Sequence, residues 1–379
     1  MRSRSLALRT SLVAAFVIAL VAGFLAFHQL RDPLVQTVSI HLAQRDLAAA
    51  FHKRRLNFLV LGIQADEGNS DTILLAHLDL DQRIATLVSI PRDTWVAIPG
   101  HGHQKLNAAY GIGGPALTAK VVGTMTGSHI DSTIAIDPVG AKQIVDAIGG
   151  INIDVERDMD YDDNYGNLHI HLKKGEQFLS GGKVLGYMRF RHDAESDWGR
   201  MRRQQQVLHE IVKELGEPQN WTKIPRLIAV ARKDVTTPLN DAQLQALVEL
   251  YRGVPPDNVR TFTLPGRGAF VGDASVVLID DWWAKIIGEL VCSATEPPQN
   301  VVLVANATGI PDVTKTIVGA LRGGGWNVQT SIEEPTRAAS EIVGNDLAAH
   351  RLADDFSGFS HRSGKATVLR LGVDTRPQT

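Results

Sequence analysis

Three apolar runs stand close together early in the chain, and they restrict its fold more than any other feature. They read NFLVLGI (57–63), TILLAHLDL (72–80) and RIATLVSI (83–90). Each has the length and branched-aliphatic content of a buried strand, and Asp81-Gln82 makes a tight turn between the last two. Helical patterns follow at roughly 115–126 and 139–148, with TIAID (133–137) and INIDV (151–155) as strands between and after them. Strands alternating with helices imply an α/β domain, a sheet covered by helices. A helix is expected from about Asp197 to Leu215, capped by Ser196 and stopped before Pro218. Residues 240–252 and 280–291 add helices around the strand VRTFTL.

A proline-bearing linker, SATEPPQN (293–300), precedes VVLVANATG, and from there the chain reads as a second, smaller α/β unit over 301–375. At the other end, Arg2, Arg4 and Arg9 precede an uncharged run of 17 residues, Ser11–Phe27. That is near the lower limit for a membrane-spanning helix, about 17–25 residues. Cations ahead of it favour a cytoplasmic N-terminus with the rest of the chain outside. A cleaved signal peptide is the rival reading. The expected division is a tip and anchor over 1–30, a polar, partly helical stalk over 31–56, a main domain over 57–292 and the small unit. The formal charge of −2 argues against nucleic acid as a partner. The single cysteine, Cys292, rules out an internal disulfide.

The stretch GYMRFRHDAESDWGRMRRQQQ (186–206) holds five arginines in fifteen positions. On a helix starting at Asp197, residues Arg200, Gln204, Val207, Ile211 and Leu215 share one stripe, while Arg202, Gln206, His209 and Lys213 share the opposite face. Arg200 and Gln204 thus continue an apolar, inward stripe. An inward guanidinium needs an anion, because a desolvated unpaired charge is very costly. Arg189 and Arg191 flank Phe190, and an extended backbone puts both on one side. Arg202 and Arg203 read as solvated charges. The plainer alternative pairs Arg189, Arg191 and Arg200 with Asp193, Glu195 and Asp197 as surface salt bridges.

Two other segments bear on that choice. SIPRDTWV places Arg92 and Asp93 at the carboxyl end of a buried strand, where ligand sites of open α/β sheets gather. HQKLNAAY supplies Lys105 and Asn107 at a helix start. Together with SDTILLAHLD, VDAIGGINIDV, LHIHLKKGEQFLSGGKVLGYMRFRH and DWGRMRRQQQVL, these motifs run in order over 57–215. In them the chain resembles the LytR–CpsA–Psr (LCP) family. Its last unit resembles, more loosely, the small LytR C-terminal domain, through VVLVANATGIPDVTKTIVGALRGGGWNV and VLRLGVD.

The resemblance implies an α-β-α sandwich with a central mixed sheet and an apolar channel for a polyprenyl lipid. It implies a membrane-anchored, extracytoplasmic enzyme that moves an envelope glycopolymer from a polyprenyl-pyrophosphate carrier to an acceptor hydroxyl, typically on peptidoglycan, with Mg²⁺. By matching motif positions, Arg92, Lys105, Arg189, Arg191, Arg200 and Gln204 become the expected phosphate-binding groups, with Arg92, Arg189 and Arg191 expected in catalysis. Asp71 becomes the expected metal ligand or general base. Arginine suits that task because its planar fork grips phosphate bidentately and stays charged.

One stretch departs from the pattern. Where the family commonly has G-x-D, a longer loop and R-S-D-T, this chain reads GIQADEGNSDT. Gln64 stands in place of the first aspartate and Asn69 in place of the arginine; Asp66 or Glu67 can replace the missing carboxylate from a shifted position, and Asp66 is the expected second metal ligand. A polyprenyl-pyrophosphate hydrolase and a non-catalytic lipid-phosphate-binding protein are the competing readings.

Overall fold

The computed structural model describes residues 39–372, apart from 65–67, 165–167, 191–198, 200–201, 205, 208–209, 212, 215–222, 294–296, 309–310 and 357. The run Ser11–Phe27, with its expected membrane helix, lies outside the described residues. Among the described residues no helix is long and apolar enough to cross a membrane.

Helix α1 spans 39–51. Strands β1 (Arg55–Gln64), β2 (Asn69–Asp79) and β3 (Ile84–Ser89) follow, then the hairpin β4 (Trp95–Ile98) and β5 (Gly102–Lys105). Next come α2 (Ala108–Thr126), β6 (Ser132–Ile136), α3 (Pro138–Ile148), β7 (Ile151–Val155), β8 (Met159–Asp163), β9 (Leu168–Leu172) and β10 (Gly175–Leu179). Helix α4 (Gly181–Arg189) leads to α5, whose described residues fall between 199 and 214. The first unit closes with α6 (Ile224–Asp234), β11 (Val235–Thr236), α7 (Asp241–Arg252), β12 (Val259–Thr263), the hairpin β13 (Arg267–Val271) and β14 (Ala274–Leu278), and α8 (Asp281–Cys292).

The main sheet runs β11-β6-β1-β2-β3-β12 and is mixed. Pairs β1–β2 and β2–β3 are antiparallel, whereas β1–β6 and β3–β12 are parallel. Side chains alternate across it with a period of two. Leu59, Leu61, Ile73 and Leu75 enter a core shared with α2 and α8, while Leu56, Phe58, Ala76 and Leu80 enter another with α1 and α7. Helices therefore cover both faces, as an α-β-α sandwich requires.

One assignment differs from that expected. Helix α1 falls within the stretch assigned to a stalk, yet Ile40, Ala43 and Leu47 are buried and Gln44 hydrogen-bonds the Leu80 carbonyl. Its apolar positions 40, 43 and 47 recur at helical spacing and need a sheet face to cover, so the helix belongs to the domain.

The second unit has a five-stranded sheet, β16-β15-β19-β17-β18, formed by β15 (Val302–Asn306), β16 (Val328–Glu333), β17 (Glu341–Val343), β18 (Ser360–Arg362) and β19 (Thr367–Leu371). Its helices are α9 (Pro311–Gly323) and α10 (Leu347–Asp355). Across the linker the two units share one continuous core through Ile287, Leu290, Ile317 and Leu321. The carbonyl groups at the end of α9 accept from the first unit: Gly323 from the Thr86 hydroxyl at 2.7 Å, and Gly324 from Arg55 at 2.8 Å. A Cβ on Gly324 would lie 1.7 Å from the Leu290 carbonyl oxygen, so only glycine allows this approach. Behind it, Arg55 meets His77 Nε2 at 3.1 Å and His77 Nδ1 meets Asn57 Oδ1 at 2.8 Å. Burial and the Arg55 charge push the His77 pKa well down, so the imidazole is neutral, with its proton on Nδ1.

The same unit contains a pH-dependent group. The Asp355 side chain is 8% exposed, and burial pushes its carboxyl from the ordinary 3.8 up to about 6, against the opposing pull of Arg351 at 3.1 Å. The folded state therefore holds the proton more tightly than the unfolded chain does. Stability from this group is complete below about pH 4 and is lost as pH rises to about 6, by about 3 kcal/mol. Asp355→Asn is expected to flatten the pH dependence of unfolding over that interval. An unchanged slope in denaturant titrations at pH 4, 5 and 6 would show that Asp355 is not its source.

Candidate functional site

Strand β2 carries one extra residue where it faces the end of β1. Gly62 pairs with Thr72 and Ile63 with Ser70, so Asp71 is the unpaired residue of a β-bulge. A bulge turns a side chain out of the regular alternation. The Asp71 carboxylate is thereby placed at one end of the sheet, only 7% exposed. A Cβ on Gly62 would stand 2.9 Å from the Thr72 Cβ, so glycine is what lets the strands close there.

Beyond β3, a turn begins at Pro91, whose carbonyl accepts from the Thr94 N–H at 3.1 Å and the Thr94 hydroxyl at 2.6 Å. The turn brings Arg92 back to β2, where its guanidinium donates a charge-assisted hydrogen bond to Asp71. Arg92 Nε also lies 3.6 Å from Asp93, and Lys105 Nζ lies 2.8 Å from the other Asp93 oxygen. Backbone bonds hold these pieces in place. The Asn107 N–H donates to the Arg92 carbonyl at 3.0 Å, and Leu106 N–H to that of Thr94 at 2.8 Å. Two cations and two carboxylates thus balance in one corner.

Helix α5 meets the same corner. Gln204 is half-buried and accepts from the Thr72 hydroxyl at 2.6 Å, one residue from Asp71. Val207 and Ile211 are buried below it, as the inward stripe requires. The structure thus brings together Asp71, Arg92, Asp93, Lys105 and Gln204. Arg191, Arg200 and Asp66 lie outside the described residues. A cavity of about 600 Å³, lined by Arg232, Thr237, Leu239 and Leu244, opens along the edge strand β11, away from this corner.

Three local expectations need correction. Arg189 is not on extended backbone: it is half-buried in the last turn of α4, and Phe190 ends that helix with φ −59° and ψ 128°. Helix propagation through GGKVLGYMR outlasts the motif's appearance as a strand. Lys105 ends a strand rather than starting a helix, because β5 pairs back on β4 up to Trp95.

Arg203 differs most. Read as a solvated charge, it is fully buried. Its guanidinium donates to Glu156 at 2.9 Å and to the Phe190 carbonyl at 2.5 Å, and lies 5.5 Å from the centre of the Phe190 ring. Tyr187 joins the network by donating to Glu156 at 2.8 Å and approaching Gln206 at 2.7 Å. Burial raises the Tyr187 phenol's pKa, and its bond to the Glu156 carboxylate adds to the rise. Burial opposes ionisation of Glu156, yet hydrogen bonds from its own N–H, Arg203 and Tyr187 hold its carboxyl below the usual range. One signal for this was available in the sequence. Arg203 is four residues before buried Val207, so the inward face is wide enough to include it. Arg202 does stay outside, 52% exposed and 3.5 Å from Glu156.

Comparison with known proteins bears on what this corner serves. Residues 34–284 match the model of the LytR_cpsA_psr family. The regulatory protein MsrR of Staphylococcus aureus is 35% identical over 221 residues, covering 57% of this chain and 66% of MsrR. The polyisoprenyl-teichoic acid–peptidoglycan teichoic acid transferase TagV of Bacillus subtilis is 30% identical over 230 residues, covering 58% of this chain and 59% of TagV. The match therefore spans less than two thirds of either relative's length. The crystal structure of B. subtilis TagV aligns with a TM-score of 0.55 and 29% identity, covering 61% of this chain and 93% of that one.

Proposed function

The chain belongs to the LytR_cpsA_psr family, and from that membership we propose that it is a membrane-anchored, extracytoplasmic phosphotransferase. It moves a glycopolymer from a polyprenyl-pyrophosphate carrier to an acceptor hydroxyl of peptidoglycan. The observation that carries this reading is the corner itself: Arg92, Lys105 and Gln204 converge beside Asp71 at the end of the sheet. TagV, named as such a transferase, supports the substrate class. The second unit is assigned to the LytR C-terminal type on the motifs quoted above.

The chemistry asks little covalent work of the protein, since phosphoryl transfer depends on positioning and on stabilising charge at the phosphoryl oxygens. Arg92 and Lys105 grip the pyrophosphate, joined by Arg189, Arg191 and Arg200 in this reading. Gln204 donates through its amide to a phosphate oxygen while its carbonyl holds the Thr72 hydroxyl. The acceptor oxygen bonds to the phosphorus next to the sugar. The bridging P–O bond breaks, and polyprenyl phosphate leaves. The Asp71 carboxylate, freed as Arg92 turns to phosphate, takes the acceptor's proton.

The residues fit Mg²⁺ in a limited way. Among the described residues no group of three ligands forms a metal cluster, so Asp71, with Asp66 as the proposed second carboxylate, would depend on phosphate oxygens and water for the rest. Mg²⁺ binds in that manner with one or two carboxylates, and when bound it neutralises phosphate charge. The expected result is weak Mg²⁺ binding by the protein alone and at least tenfold tighter binding with inorganic pyrophosphate, measured by calorimetry. Asp71→Ala should remove the difference. If Asp66→Ala leaves the difference unchanged, Asp66 is not the second carboxylate.

A lipid-linked donor with labelled phosphate, supplied with and without peptidoglycan fragments, tests the function. Acceptor-dependent transfer of the label is expected. Label released to water at the same rate without acceptor indicates a hydrolase. No turnover at all, in a chain that still binds the lipid, indicates the regulatory role that the name MsrR and the altered GIQADEGNSDT loop favour.

A further inference from the structure

The hairpin β13–β14 stands beside the phosphate corner and ends in an aromatic ring that packs on little. Phe270 is 77% exposed and Val271 beside it 39%, among the most exposed large apolar residues described. The root of the same hairpin is rigid: Val276 and Val277 are 1% and 4% exposed. Val277 N–H donates to the Asp93 carbonyl at 2.9 Å, and Thr94 bridges Val277 in parallel orientation. Strands β3 and β12 end side by side, tied by the Leu264 N–H to the Ser89 carbonyl at 2.8 Å. The hairpin therefore leaves the sheet at the same end as Arg92 and Asp93. From Val277 its tip lies some four residues further, roughly 13 Å at strand rise. On the adjoining hairpin, Trp95 follows Thr94 directly and stacks on His103 at 6.4 Å between ring centres.

We propose that the β13–β14 hairpin is the platform that receives the acceptor's sugar chain, with the Phe270 ring stacking on a pyranose beside the phosphate corner. This rests on the transferase reading above and adds to it where the acceptor lies. A pyranose has a face of C–H bonds that is apolar and slightly positive, which suits the negative face of an aromatic ring. The neighbours of Phe270 are small: Gly268 and Ala269 precede it along β13, and Ser275 faces it on β14. They leave the ring open to a flat ligand. Trp95, next in the chain to the Thr94 that bridges Val277, supplies a second ring and an indole N–H near the hairpin's root.

A lipid surface is the other occupant an exposed phenylalanine suggests, and two observations argue against it. The hairpin carries one cation at its root, Arg267, and one anion at its tip, Asp273, so it lacks the cluster of cations that draws a surface to anionic lipid headgroups. The chain also enters the described fold at the far end of the sheet. Ile40 of α1 packs on Gly253, ahead of β12, and Gln44 on the carbonyl of Leu80, beyond the end of β2. A tether rooted there holds the hairpin end away from the membrane rather than against it.

The test uses the full chain and the tetrasaccharide of β-linked N-acetylglucosamine as probe, read by calorimetry. Phe270→Ser should weaken binding about tenfold, since stacking on one ring is of that order. Phe270→Trp should bind at least as well as the parent, and both variants should melt with the parent because the tip supports no core. A parent that binds no tetrasaccharide, or a Phe270→Ser variant that binds it unchanged, overturns the proposal. A second arm places a nitroxide on Phe270→Cys in protein reconstituted into phospholipid vesicles. Cys292 stays unlabelled, because burial pushes its thiol up to about 12. A label open to water-soluble relaxation agents supports the proposal, and one shielded in the bilayer overturns it in favour of a lipid contact. Binding needs no turnover. A chain that binds the sugar through Phe270 without transferring polymer therefore sinks the transferase reading alone.

Discussion

Replacing Arg203 by Ala is expected to cost the folded protein about 3–5 kcal/mol, the usual effect of removing one partner from a buried ion pair. The guanidinium is 0% exposed and ties three elements. It comes from α5, reaches Glu156 just beyond β7, and donates to the carbonyl of Phe190 where α4 ends. Truncation to Ala leaves Glu156 with its own N–H, Tyr187 and the more distant Arg202, and removes a donor from a buried carbonyl. It also opens a void against the Phe190 ring. Arg203→Lys keeps the charge but loses the planar fork that serves two acceptors at once, so it should recover only part of the loss. Arg202→Ala, at a side chain that is 52% exposed, should stay within about 0.5 kcal/mol. Urea unfolding of the three variants decides the matter. Near-equal midpoints for Arg203→Ala and Arg202→Ala would mean the buried network does not form.

What the sequence made legible follows from where its signals are local. Strands β1 to β3 announce themselves because apolar side chains enter cores on both faces, leaving uninterrupted runs such as LVLGI. The inward stripe of α5 is legible for the same reason, since Val207 and Ile211 repeat at helical spacing and both are buried. The bulge at Asp71 is not legible in this way. It depends on how β1 and β2 slip past each other at Gly62, which is a matter of pairing rather than of composition. The burial of Arg203 is hidden likewise, because its partners lie 13 and 47 residues away. A charged side chain taken alone is normally exposed, and only the four-residue spacing from Val207 points the other way. That the helix in the stalk stretch packs on the domain is hidden too, because a sheet face needing cover is a property of the assembled fold. Lys105 and Arg92, by contrast, were legible as a motif but not as a contact. Asp93 turns out to be the residue that joins them, by 2.8 Å to one and 3.6 Å to the other.

At the corner itself, Arg92→Ala is expected to lower transfer by about a hundredfold to a thousandfold, the loss found when one preorganised donor to a developing charge is removed. The argument starts from Asp71. Its carboxylate sits on a bulge with little access to water, and Arg92 is the cation bonded to it. Removing Arg92 therefore does two things. It takes away a bidentate grip on the transferring phosphate, and it leaves a shielded carboxylate without that cation, which favours its protonated form. A protonated Asp71 neither accepts the acceptor's proton nor binds Mg²⁺. Arg92→Lys separates the two effects. A lysine restores a charge beside Asp71 but only a single point of contact to phosphate, so it should rescue part of the rate while KM for the lipid donor stays raised. Asp71→Asn keeps the shape and removes the charge, and it should depress kcat with donor binding retained, since Arg92 is then freer for phosphate. Combining Asp71→Asn with Arg92→Ala should cost much less than the product of the single losses, because the two groups act as one unit. Steady-state kinetics on the lipid-linked donor provides all four numbers. Multiplicative losses, or an Arg92→Ala variant with parental kcat/KM, would place the phosphate elsewhere and leave the Asp71–Arg92 pair a structural contact.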